Sequence, residues 1–200
     1  GSEMCIRDRR KNRARLIPFM LALYVLAFLD RSNIGFAKET YQLDTGLSNE
    51  AYALGAGIFF VVYAFLGVPA NLLMRKFGAR RWIGCTTLLW GVLSAAMAWA
   101  DTEAKFLLVR TLLGAAEAGF FPGMIYLTSQ WFPQQNRASI MGLFYMGAPL
   151  ALTLGSPLSG ALLEMHGFMG HPGWFWMFVI EGLLAVAAGA VSYTHLRAHE

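Results

Sequence analysis

Six apolar runs, each long enough to cross a bilayer as a helix, take up most of this 200-residue chain. A hydrocarbon core of ~30 Å needs about 20 helical residues, and the runs fall at 16–37, 52–74, 82–100, 106–131, 138–163 and 174–191. Inside lipid every backbone amide must find its partner within the protein, which leaves helices or closed barrels. A barrel strand would alternate polar and apolar residues. Here Phe59, Phe60, Val61, Val62, Tyr63, Ala64, Phe65 and Leu66 follow one another without a break. The expected fold class is therefore an all-α integral membrane protein with six transmembrane helices. Hydrophobic residues at 56% and charged residues at 14% are far from the balance of a soluble domain.

Pro69, Gly119, Pro122, Gly123, Pro149 and Pro157 sit inside the runs, where membrane bundles tolerate them. Gly119 and Gly123 form a small-xxx-small pair that lets a neighbouring backbone come close.

Lys and Arg collect at one set of ends. Arg7, Arg9, Arg10, Lys11, Arg13 and Arg15 precede the first run, Arg75, Lys76, Arg80 and Arg81 fill the second connection, and Arg137 lies in the fourth. The other connections hold Lys38 and Lys105 among Glu39, Asp44, Glu50, Asp101, Glu103 and Glu164. The positive-inside rule then places both termini in the cytoplasm. It also accounts for the net charge of +4 without a nucleic-acid partner. Neither Cys5 and Cys85 nor His166, His171, His195 and His199 have metal-ligand spacing, so no metal or cofactor is expected.

Four ionisable residues break the apolar pattern: Asp30 and Arg31 in the first run, Arg110 and Glu117 in the fourth. A charge at the bilayer centre costs roughly 2.5–3.5 kcal/mol even on lenient scales, so such residues face a protein interior or a wet cavity and mark transport pathways. At a rise of 1.5 Å per residue, Asp30 lies about 21 Å up its helix, level with Arg110 on the oppositely directed fourth helix, with Glu117 near the midplane. Arg110 and Glu117, seven residues apart, share a helix face. Two readings stay open: a charged vestibule for substrate and proton, or buried ion pairs that lock the first and fourth helices together. Asn33, Tyr63 and Glu181 are weaker candidates, each readable as a structural residue.

The strings LDRSNIGFA (29–37), VPANLLMRKFGARRW (68–82), RTLLGAAEAGFFPG (110–123) and FVIEG (178–182) resemble the major facilitator superfamily, and within it the anion:cation symporter branch of organic-anion permeases of tartrate, phthalate and hexuronate type. The resemblance implies two inverted three-helix repeats forming the N-terminal half-bundle of a twelve-span transporter, with the C-terminal six-helix half missing. It implies that Arg31 and Arg110 meet the anionic groups of a small organic substrate, that Tyr63 lines the substrate cavity, and that Asp30 and Glu117 bind and release protons; Asn33, beside Asp30, is carried as a weaker substrate-binding candidate. The setting is the cell membrane. Arg75 stands where the superfamily carries an acidic residue and Asn71 where it carries a glycine, so the usual charged latch between halves is not implied. An efflux pump for other substrates, or an inactive fragment, are the alternatives. Residues 1–15 are expected as a cytoplasmic tail and 16–191 as the transporter half. Residues 1–9 and 192–200 resemble translated adapter sequence and are set aside as foreign.

Overall fold

A computed structural model describes the backbone of residues 2–195 and the side chains of residues 17–79 and 81–194. Six helices are long and apolar enough to span a membrane: α1 (Ile17–Thr45), α2 (Asn49–Phe77), α3 (Arg81–Trp99), α4 (Glu103–Trp131), α5 (Gln134–Leu163) and α6 (Gly173–Thr194). No strand occurs among the described residues.

The connections are short and chemically defined. Gly46 at φ 72° turns the chain out of α1, and Ser48 caps α2 by accepting the Ala51 amide. Gly78, at φ 85°, is a one-residue joint between α2 and the helix that resumes at Ala79 and leads into the α3 span, its amide donating to Met74 O. A non-glycine residue is disfavoured there. Thr102 caps α4. The longest link, between α5 and α6, turns through Gly167, Met169 and Gly170, all at positive φ.

Two helix ends and two interruptions differ from the sequence expectation. Helix α1 does not stop at Ala37 but runs on to Thr45, because Ala37 and Tyr41 are buried in the core and their burial carries the helix past the apolar run. Lys38, Glu39 and Asp44 thus lie on a helix rather than in a loop. Helix α6 continues through Thr194 instead of ending at Val191, with Ser192 fully buried and Tyr193 packed against Gly84. Helices α4 and α5 are each interrupted once, at Ala118–Gly119 and at Met146. In α4 the break precedes Pro122, which has no amide to donate to the Ala118 carbonyl.

Packing follows an internal symmetry. The extensive pairings are α3 with α6, α2 with α4, and α1 with α5. Advancing each helix by three places exchanges α2–α4 with α5–α1 and returns α3–α6 to itself, which is the pattern of two inverted repeats. Glycines seat each pair. A Cβ at Gly114 would lie 2.5 Å from Phe59 O, and one at Gly55 2.1 Å from the Phe106 ring. Gly147 and Gly155 admit Tyr24 and Leu29 of α1 in the same way. On the antiparallel α3–α6 seam, Gly91 faces Val186, Gly182 faces Ala95 and Gly189 faces Leu88, all at backbone contact. Such close approach replaces the hydrophobic drive that lipid does not supply. The Gly119–Gly123 pair seats the start of α3, through Trp82 and Ile83.

Two apolar clusters fill the interior. One gathers Met20, Leu23, Phe59, Ile83, Trp90, Phe120 and Phe144. The other gathers Tyr41, Tyr52, Met97, Phe106, Trp174 and Phe178. On α1, α3, α4 and α6 the chain passes from one cluster to the other through a polar residue, and these residues form the layer described next.

Candidate functional site

Successive residues of a helix point about 100° apart, so Asp30, Arg31 and Asn33 fan out from α1 toward three different neighbours. Asp30, buried, accepts a hydrogen bond from the Ser94 hydroxyl of α3. Arg31 reaches α4, where its Nε donates to Glu117 Oε2 at 2.8 Å. Asn33, with no exposed surface, donates its amide to Glu181 Oε2 of α6. Ser159 of α5 donates to Glu181 Oε1 at 3.2 Å.

The two carboxyls of the first group meet. Asp30 and Glu117 are in side-chain contact, and their remaining oxygens, Asp30 Oδ2 and Glu117 Oε1, have no hydrogen-bond partner among the described residues. Buried polar atoms are nearly always paired, so two neighbouring orphans mark a place where a proton or another donor fits.

Arg110 takes a different direction from the one its spacing implies. Although it shares a helix face with Glu117, its Nε donates to Gly55 O of α2 at 3.2 Å and its guanidinium lies 4.5 Å from the centre of the Phe59 ring. It is 2% exposed and remains within Coulombic reach of Asp30 and Glu117. Arg31 stacks over Tyr63 at 4.7 Å and approaches the same Phe59 ring at 6.0 Å. Both guanidiniums thus lie near the Phe59 ring, Arg110 the closer, in a cation–π arrangement. Tyr52, Gly55, Phe59 and Tyr63 form one stripe of α2 at spacings of three and four.

Of the residues singled out from the sequence, the structure brings Asp30, Arg31, Glu117 and Tyr63 together, with Arg110 one ring away. It places Asn33 elsewhere. Asn33 joins a network with Glu181 and Ser159, its position three residues past Asp30 turning it toward α6. Phe59, Ser94 and Ser159 were not legible as site residues. Ser94 carries the one available signal, a hydroxyl on an otherwise apolar stretch of α3. Arg31, 18% exposed as a side chain, and the half-exposed Tyr63 are where this layer reaches the surface.

Just before α4, Asp101 pairs with Lys105 of that helix's first turn at 2.6 Å, and that hydrogen bond holds the Asp101 carboxyl below its usual range. Among the described residues no three His, Cys, Asp or Glu side chains converge to hold a metal ion.

Comparison with known proteins places this arrangement. The chain is 91% identical over 184 residues to the inner membrane transport protein RhmT of Escherichia coli K12, covering 92% of this chain and 43% of that protein. It is 49% identical over 196 residues to an Agrobacterium vitis protein provisionally named a tartrate transporter, covering 98% of this chain and 45% of the relative. A quinolone resistance transporter of Acinetobacter baumannii is 47% identical over 172 residues, covering 86% and 40%. The chain thus spans less than half the length of these relatives. The crystal structure of a bacterial homologue of the human lysosomal transporter Spinster, inward-facing and occupied, superposes with a TM-score of 0.84 at 20% identity, over 91% of this chain and 44% of that one, which establishes the shared fold. The family model of the Major Facilitator Superfamily matches residues 20–200, and the chain belongs to that superfamily.

Proposed function

We propose that this chain is the N-terminal half of a proton-coupled symporter for a small organic anion, set in the inner membrane with its N-terminus in the cytoplasm. The observation that carries the reading is the Arg31–Glu117 pair beside the two orphaned carboxyl oxygens of Asp30 and Glu117.

With all four groups ionised, Asp30, Arg31, Arg110 and Glu117 sum to zero charge. Arg31 is then occupied by Glu117. A proton delivered to the Asp30–Glu117 contact removes their repulsion and supplies a donor for the unpaired oxygens. It also releases Arg31, whose planar fork suits a carboxylate. Proton and anion each favour the binding of the other, and this reciprocity is coupling in the thermodynamic sense. Tyr63, stacked on Arg31, fixes the guanidinium plane where the substrate arrives. Arg110, braced by Gly55 O and Phe59, supplies the second positive charge. Asn33 acts at one remove, fixing α1 against α6 through Glu181. The opposite wall of the pocket is contributed by the six-helix half that the relatives possess, and alternating access follows from rocking of the two halves around this layer. The excess of Lys and Arg at the α2–α3 and α4–α5 connections supports the orientation.

The test uses a full-length transporter containing this half, assayed in vesicles for uptake of hydroxy-dicarboxylates, sugar acids and aromatic acids. Glu117→Gln should abolish accumulation driven by a proton gradient while sparing exchange of substrate across the membrane. Unchanged uphill uptake rejects the proton role. The similarity to a quinolone resistance transporter favours a second reading, export of a drug-like compound. Thermal stabilisation of the protein by cationic or zwitterionic drugs, and not by carboxylates, selects it.

A further inference from the structure

Helices α2 and α3 both rest on α4 yet diverge from each other, leaving a groove of about 460 Å³ with α4 as its floor. Its walls are Leu66, Pro69 and Leu73 of α2 against Trp82, Cys85 and Leu89 of α3. The lining is almost wholly apolar, and it lies outside the charged layer. It runs from Trp82 to Leu93 on α3, eleven residues or about 16 Å of helix, which is one leaflet of a ~30 Å hydrocarbon core.

The mouth is basic. On α2 the lining positions 66, 69 and 73 continue at helical spacing into Lys76, and on α3 the positions 89 and 85 continue back into Arg81. Both side chains are exposed, and neither has a carboxylate partner among the described residues. Trp82, an aromatic at the level where interfacial aromatics gather, forms the wall between mouth and interior. An apolar slot one leaflet deep, ending in two free cations at headgroup level, matches the two halves of one molecule.

We infer that this groove is a binding site for a phospholipid with an anionic headgroup, its acyl chain lying between α2 and α3 and its phosphate held by Lys76 and Arg81. Juxtamembrane Lys and Arg each strengthen attraction to anionic lipid by about fivefold, so the pair should favour an anionic over a zwitterionic lipid by about 25-fold. The site differs from the transport layer in chemistry and position, and its test is independent of transport.

The chain, purified in a nonionic detergent, is titrated with dioleoyl phosphatidylglycerol or dioleoyl phosphatidylcholine, and bound lipid is counted by native mass spectrometry. In a Cys5→Ser background, reaction of Cys85 with a maleimide reports occupancy of the groove itself. Phosphatidylglycerol should bind about 25-fold more tightly and slow alkylation of Cys85. Lys76→Gln with Arg81→Gln, both solvent-facing changes that leave helix packing alone, should bring the two lipids level, whereas Lys38→Gln at the opposite end should change nothing. Ala115→Trp, which fills the floor, should remove protection of Cys85. Equal binding of the two lipids, a preference that survives the double substitution, or Cys85 alkylated equally fast with and without lipid overturns the assignment. A groove that seats a protein helix gives the last of these results.

Discussion

Replacing Arg31 with Met tests whether the charged layer is coupled as its geometry requires. Arg31 Nε lies 2.8 Å from Glu117 Oε2, and the side chains are 18% and 0% exposed. Glu117 Oε1 already has no partner, so Arg31→Met strands a carboxylate that cannot reach water. Removing one partner of a buried ion pair costs about 3–5 kcal/mol. The converse change, Glu117→Leu, strands a guanidinium on a long stem that is already partly exposed and can reach the surface. Its cost belongs at the low end of the ~1–3 kcal/mol for a buried unpaired group. The double substitution Arg31→Met/Glu117→Leu puts two apolar side chains into the gap and should cost less than Arg31→Met alone, since apolar replacement of a buried pair is often neutral. The Arg31→Met penalty should also shrink as pH falls, because a proton neutralises the stranded carboxylate. Unfolding of the detergent-solubilised chain by SDS, followed by circular dichroism, gives all three differences. If Arg31→Met changes stability by less than about 0.5 kcal/mol, or the double variant loses the sum of the two single losses, the two residues are not partners and the layer is not one electrostatic unit.

The same titration checks two further expectations. Asn33→Leu leaves Glu181 Oε2 without its donor and should cost about 1–3 kcal/mol, and Asn33→Asp should cost more because it sets a second carboxylate against Glu181. Gly114→Ala drives a methyl to 2.5 Å from Phe59 O and should cost about 1–3 kcal/mol, whereas Gly142→Ala, with nothing within 4 Å, should be neutral or stabilising by up to about 1 kcal/mol. In a full-length transporter containing this half, substrate affinity should rise as pH falls, and Glu117→Gln should flatten that dependence; a parallel pH profile for parent and variant would count against Glu117 as the proton carrier.

Helix number and type were legible because lipid imposes one requirement on every residue at once: twenty apolar positions in a row admit few other structures. Helix ends were less legible. The core of this half extends beyond the apolar runs, and Tyr41, whose hydroxyl donates to Ala100 O, holds eight residues of α1 that composition alone assigns to a loop. The charged residues were visible as exceptions, but the helix rise put Asp30 and Arg31 level with Arg110 and left Glu117 deeper, whereas the long Arg31 side chain reaches Glu117. The direction of Arg110 was not visible, because it depends on Gly55, a residue whose value lies in what it lacks. Without a Cβ at that position α2 comes close enough to α4 for the Phe106 ring to sit against it and for the Gly55 carbonyl to accept from the guanidinium. Sequence spacing specifies which face of a helix a side chain occupies, but not which of two neighbours on that face offers the better acceptor.

The internal symmetry explains why the polar layer falls where it does. Exchange of α2–α4 with α5–α1 requires the axis to pass through the self-paired α3–α6 seam, and Ser94 and Glu181 lie on that seam's two helices, each donating to or accepting from α1. Residues near such an axis face their counterparts from the other repeat, so a polar residue placed there once meets polar residues from both repeats. The two networks, Asp30–Ser94 with Arg31–Glu117 and Asn33–Glu181–Ser159, therefore draw on α1, α3, α4, α5 and α6, while α2 enters through Tyr63 stacked on Arg31 and through Gly55 and Phe59 against Arg110. A motion that separates α1 from α4 has to break the first network while the second still ties α1 to α5 and α6. The Arg31–Glu117 bond is thus an ion pair that joins α1 to the α2–α4 pair, and under the proposed coupling a proton on Glu117 would weaken it.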